Sequence, residues 1–147
     1  MADREADLHS VDAALTRIGR VANSRRAAGR RARRSGVTLA PTAVATLAAI
    51  YRHGPARLTA IAEYVDLEPS RISREVRPLV EAGLVVQATD PGDGRATLLV
   101  ATAAGRRAFE RYRSAADAIL ADSMREWTDR DLHHLADQLT RLADSLE

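Results

Sequence analysis

Ser70, Arg71, Ser73, Arg74 and Arg77 crowd one short stretch, PSRISREVRP. Arginine presents two parallel N–H donors that match guanine O6 and N7, and a serine hydroxyl is short enough to reach a base edge or a phosphate. On a helical wheel Ile72, Val76, Leu79 and Val80 take one side. Ser70, Ser73, Arg74 and Arg77 take the other, with Arg71 at the edge. The apolar side must pack on a core, which leaves the Ser/Arg side for a groove. A second set follows at Asp90–Arg95, where Pro91, Gly92 and Gly94 supply turn geometry and Asp93 and Arg95 supply charge. An arginine at such a tip suits a narrow minor groove. Asp93 would accept a hydrogen bond within the loop and hold Arg95 in place.

These residues need elements to position them. Leu8, Val11, Leu15, Ile18 and Val21 recur at spacings of three and four, the stripe of an amphipathic helix that ends near Ala22. Beyond it RRAAGRRARRSG reads as a polar extension of that helix, closed by Ser35-Gly36. A second helix runs from Thr42 to about Tyr51 and stops at His53-Gly54-Pro55. A third, Thr59–Val65, takes Thr59 as its N-cap, and Asp66-Leu67-Glu68 forms a turn. Pro69 opens the reading helix, which runs toward Ala82 with Gly83 as its stop. Pro78 breaks the local rule for a helix interior, so a kink or an early end near Arg77 is expected. Leu84–Ala88 and Thr97–Ala101 read as two short strands around the loop. Thr102 caps a long helix carrying Phe109 and Tyr112, and Thr128 with Asp131 opens a last helix. That helix spaces Leu132, Leu135, Leu139, Leu142 and Leu146 as a packing seam.

The order helix, turn, helix, β-loop is that of a winged helix-turn-helix, whose second helix enters a major groove. Composition agrees and narrows the rest. A chain of 147 residues with 46% hydrophobic and 29% charged residues is one globular domain's worth of sequence. No apolar run is long enough for a membrane span and the N-terminus lacks a signal-peptide layout, so a cytoplasmic protein without a membrane partner is expected. The absence of cysteine excludes disulfides and thiolate chemistry. All 22 basic residues are arginine, which a GC-rich genome favours, so placement says more than number. Seven arginines and no acid lie between Arg20 and Arg34, whereas Ser114–Glu147 holds eight acids against three arginines. The Arg25–Arg34 cluster reads equally as a phosphate-binding arm or as a solvated helix end. Asp129, His133 and Asp137 share a helix face without a fourth ligand and read as an exposed acidic face; no metal or cofactor is expected. No Ser/His/Asp set or phosphate loop suggests an enzyme.

At PSRISREVRPLVEAGLV, DPGDGRA and TAAG the chain resembles the MarR family of winged helix-turn-helix transcriptional regulators, in length and element order throughout. Glu68 departs from the pattern, standing where a capping serine is usual; Gln87 and Ala101 are further departures. The resemblance implies a mainly α fold with a small β-wing, formed by a single domain over 1–147. Its DNA-binding core would span 37–101, with helical dimerisation regions at 1–34 and 102–147. It further implies a homodimeric repressor on a pseudo-palindromic operator in double-stranded DNA, read in the major groove by the helix and in the minor groove by the wing. Release by a small aromatic or anionic ligand is implied too, and a constitutive or architectural DNA-binding protein without effector is the alternative. Arg20, Tyr51, His53 and Tyr112 are placed to border a ligand cleft, although ordinary packing suits each of them better.

Overall fold

The computed structural model describes residues 2–146, mainly helical with one small antiparallel sheet. The first helix, α1 (Ala2–Ala22), stops where its apolar stripe ends and does not continue through the arginine-rich segment to Ser35. Asn23-Ser24 breaks the chain, and the Ser24 hydroxyl accepts the Ala27 N–H at 3.1 Å to open a separate helix, α2 (Arg25–Ser35). The expected polar extension of the first helix is therefore corrected to a second helix with its own N-cap. Arg31 Nη1 donates to the Ala22 carbonyl at 3.0 Å and so satisfies the end of α1. Gly36, at φ 68°, closes α2 in the left-handed conformation that glycine adopts without strain.

Next come α3 (Pro41–His53), the two-residue strand β1 (Ala56–Arg57) and α4 (Leu58–Tyr64). Here the expectation for Thr59 fails. Arg57 holds the cap position without a side-chain bond, and Thr59 lies inside the helix. The cause is a long-range pairing, Ala56 with Leu99 and Arg57 with Leu98, that fixes where the strand ends and the helix begins. The turn after α4 puts Asp66 at φ 52° and leads to α5 (Pro69–Glu81), with proline at the first position. Glu68 caps α5 without a side-chain hydrogen bond, as its type suggests. Restoring a short acceptor with Glu68→Ser is expected to raise stability by about 0.5–1 kcal/mol, measured by urea denaturation. An unchanged midpoint would mean that water already serves those N–H groups as well.

Pro78 does not end α5. The helix continues to Glu81, and the Ala82 N–H bonds to the Pro78 carbonyl at 3.0 Å. Ile72, Val76 and Leu79 are buried on both sides of the proline, while Pro78 itself is exposed. Strand β2 (Val85–Asp90) then pairs with β3 (Asp93–Ala101), giving the sheet order β1-β3-β2. Both strands run further than the sequence suggested, and the loop Asp90–Arg95 contracts to a turn at Pro91-Gly92 with a register shift after Thr89. Ladder hydrogen bonds between the arms outweigh the weak strand propensity of Asp and Gly there.

The long helix α6 (Ala103–Ser123) starts as read from Thr102, whose hydroxyl accepts the Gly105 N–H at 3.0 Å and donates to the Gly83 carbonyl at 2.7 Å. Gly105 lies against the backbone of Leu84, so closely that a β-carbon there would collide with it. The last helix, α7 (Asp129–Asp144), has the expected capping box between Thr128 and Asp131. Those two N-terminal bonds, from the Thr128 hydroxyl first and its N–H second, hold the Asp131 carboxyl below its ordinary pKa. Two compact units result, divided after Ala115. The core of the first is Leu47, Ile50, Ile61, Ile72, Leu79, Val85 and Leu99, all essentially inaccessible to solvent. In the second, Leu132 and Leu139 of α7 and Leu146 just beyond it are exposed. Among the described residues no helix is long and apolar enough to cross a membrane.

Candidate nucleic-acid interface

Helix α5 divides as its wheel requires. Ile72, Val76 and Leu79 are buried in the core, and Ser70, Arg71, Ser73, Arg74 and Arg77 are all exposed. Packing of the apolar side against α3 and α4 aims the polar side outward as a rigid set. Arg77 is held back within that set: its Nε donates to Glu81 Oε1 at 2.9 Å, an exposed pair one turn apart. Water and a phosphate or base edge can both displace so exposed a partner.

The wing is built from three carboxylate contacts. Asp90 Oδ1 accepts the Gly92 N–H at 2.9 Å and shapes the turn. Asp93 Oδ1 accepts the backbone N–H of Arg95 at 3.2 Å, a bond within the loop of the kind its position suggested. The third contact was not legible in the sequence. Arg57 Nη2 reaches Asp90 Oδ2 at 2.7 Å and Asp93 Oδ2 at 3.4 Å, and its Nε also donates to Asp90 at 3.1 Å. Hydrogen bonding from Arg57, and then from the Gly92 N–H, holds the Asp90 carboxyl below the usual carboxylate range. The same bond and charge raise the pKa of the Arg57 guanidinium. Arg95 itself is exposed at the wing.

Of the side chains placed around the inferred ligand cleft, Tyr51 and His53 are engaged in ring contacts. Tyr51 meets Phe109 at 5.0 Å between ring centroids, and His53 stacks on Tyr64 at 3.6 Å. Arg52 lies over the Phe109 ring at 5.7 Å. Tyr112 is half-buried and Arg20 exposed. On α7, His133 and Asp137 approach to 3.5 Å as an exposed pair. An open cavity of about 500 Å³ lies elsewhere, lined by Arg34, Ser35, Arg107, Glu110, Arg111, Ser114 and Ala115.

Helix α5, with its buried apolar and exposed Ser/Arg faces, and the wing braced by Arg57 follow one another along the chain. Residues 35–96, which include α5 and the wing as far as Ala96, match the model of the MarR family. Through this core the chain is similar to the MarR family. The HTH-type transcriptional regulator YxaD of Bacillus subtilis, itself uncharacterised, is 27% identical over 89 residues. That match spans 60% of this chain and 62% of YxaD, less than two thirds of the relative's length. A probable transcriptional regulator from Pseudomonas aeruginosa is 29% identical, with a TM-score of 0.66 over 87% of this chain and 96% of its own. YusO from Bacillus subtilis shares the fold at 23% identity and a TM-score of 0.70, over 98% of both chains. The MarR-like fold thus extends beyond the matched core into the flanking helices.

Proposed function

We propose that this chain is a MarR-family DNA-binding transcriptional regulator that acts as a homodimeric repressor on a pseudo-palindromic operator. The observation that carries the reading is the division of α5, with Ile72, Val76 and Leu79 fixed in the core and Ser70, Arg71, Ser73, Arg74 and Arg77 presented together. In this reading α5 enters the major groove and Arg95 of the wing the adjacent minor groove, with Asp93 fixing the backbone at Arg95. Titration of a duplex bearing a site selected from random sequence, against a scrambled duplex and across salt concentrations, tests it. Affinity that falls steeply with salt and depends on sequence is expected; indifference to sequence sinks the proposal.

Dimerisation is supported by surface that one chain leaves uncovered. Leu8 is 60%, Ile18 59% and Val21 52% exposed along a single stripe of α1. Apolar surface of that regularity marks an interface. The helical regions 1–34 and 102–147 are assigned to it, around a DNA-binding core at 37–101. Ile18→Glu is expected to shift the protein to monomer in sedimentation and to abolish binding to the two-half-site operator. A dimer that survives the substitution would place the interface elsewhere. An effector fits the arginine-lined cavity at Arg34, Arg107 and Arg111, whose charge suits a small anionic ligand. A screen in which no such ligand alters melting temperature or operator release would favour a constitutive regulator instead.

A further inference from the structure

Between Ala13 and Ala62 the chain contains ten arginines and no Asp or Glu, although 20 of its 147 residues are acidic. Genome composition explains arginine in place of lysine, yet it does not explain the removal of every acid from fifty residues. Six of those arginines lie on α2, an eleven-residue helix. Two have partners: Arg31 serves the Ala22 carbonyl, and Arg34 has contacts of its own beside Arg107 and Arg111. Arg26, Arg30 and Arg33 are exposed and share one face at spacings of four and three, with no carboxylate partner among the described residues.

This arrangement opposes the stability of its own helix. Arg26 stands in the first turn, where the helix dipole disfavours a cation. Arg26–Arg30 and Arg30–Arg33 are like-charge pairs at the spacings where side chains meet. No acid within α2 relieves them. A local conflict repeated along one face points to an outside group that resolves it.

We propose that Arg26, Arg30 and Arg33 form a strip that contacts DNA phosphates, outside the base-reading α5 and the wing. The inference rests on the DNA-binding reading above and adds a contact surface to it. Helical rise sets the three guanidiniums at steps of about 6 and 4.5 Å. Duplex DNA, with one charge per about 1.7 Å of axis, can meet each of them. An anionic bilayer fits less well: the apolar residues of α2 are all alanine, and no Leu, Phe or Trp stands ready to enter acyl chains. Phosphate contacts of this kind add affinity and fix register, and they carry no sequence information.

The test uses the full chain with Arg26→Gln, Arg30→Gln and Arg33→Gln combined, and the same three positions changed to lysine. The probe is a long duplex carrying a selected site, measured by anisotropy across salt concentrations. Each lost phosphate contact removes about 0.9 from the slope of log K against log salt, so the glutamine triple is expected to lose nearly three per protomer. Its preference for the site over scrambled DNA stays at the wild-type value, and the lysine triple keeps the wild-type slope. If the glutamine triple does not fold by circular dichroism, each single variant should remove about one from the slope. A glutamine triple with unchanged slope, while wild type still discriminates sequence, overturns the strip and leaves the α5 reading intact. Loss of binding to phosphatidylserine vesicles with no change on DNA also overturns it, in favour of a membrane surface. Wild-type protein that binds no duplex overturns both readings.

Discussion

Arg74→Ala is expected to cost about 1–3 kcal/mol per half-site, a roughly 5- to 150-fold loss of operator affinity, and to flatten discrimination against scrambled DNA. Arg74 follows the buried Ile72 and precedes the buried Val76, so the backbone beneath it is fixed by the core. A rigid base aims the guanidinium at a base edge with little entropy left to lose, which is the condition for a bidentate contact. Arg95→Ala should behave differently. Its place on the wing gives access to a minor groove whose pattern is degenerate, so affinity falls while most of the discrimination survives. Competition binding with single-base operator variants separates the two outcomes. Wild-type affinity in both variants would mean that neither α5 nor the wing lies in a groove. Arg77→Ala should fall between them, because the Glu81 pair must first be exchanged for a DNA contact.

The elements that position these residues were legible where local rules act alone. Period and capping start α5 at Pro69 and run it toward Ala82, within a residue of its end at Glu81, and they give the capping box at Thr128 and the start of α6 at Thr102. They failed where a distant partner decides. Strand β1 is two residues long and exists only because Leu98 and Leu99 pair with it, so nothing near Ala56 could announce it. The cap expected at Thr59 failed for the same reason. Ser24 marks a second kind of miss: it is an ordinary N-cap signal that the run of arginines after it obscured. The early end that Pro78 suggested does not occur: with Ile72, Val76 and Leu79 buried on the other face, the helix runs on to Glu81. The Ser/Arg set on α5 was read from periodicity. Arg57 escaped notice because it is 33 residues from Asp90 in sequence.

That distant contact yields the last expectation. Arg57→Ala should reduce operator affinity through Arg95 while leaving the fold nearly unchanged. Asp90 and Asp93 stand on either side of the turn, and without the guanidinium their carboxylates repel each other. Asp93 also accepts the Arg95 N–H, so displacement of its side chain releases the backbone that sets the wing arginine. An exposed ion pair contributes little to global stability, and the melting temperature is expected to stay close to wild type. The diagnostic quantity is coupling: Arg95→Ala should weaken binding about three- to tenfold less in the Arg57→Ala background than in wild type. Independent effects would show that the brace and the wing arginine act separately. The pH dependence follows from the sign of the shift. Asp90 titrates below the usual carboxylate range, so its share of the brace is complete above that range and is lost only as pH falls through the depressed value. The wing contribution to binding should therefore be flat through neutral and mildly acidic pH. Arg57→Lys, which keeps the charge but gives up the planar fork shared between two carboxylates, should recover only part of the coupling.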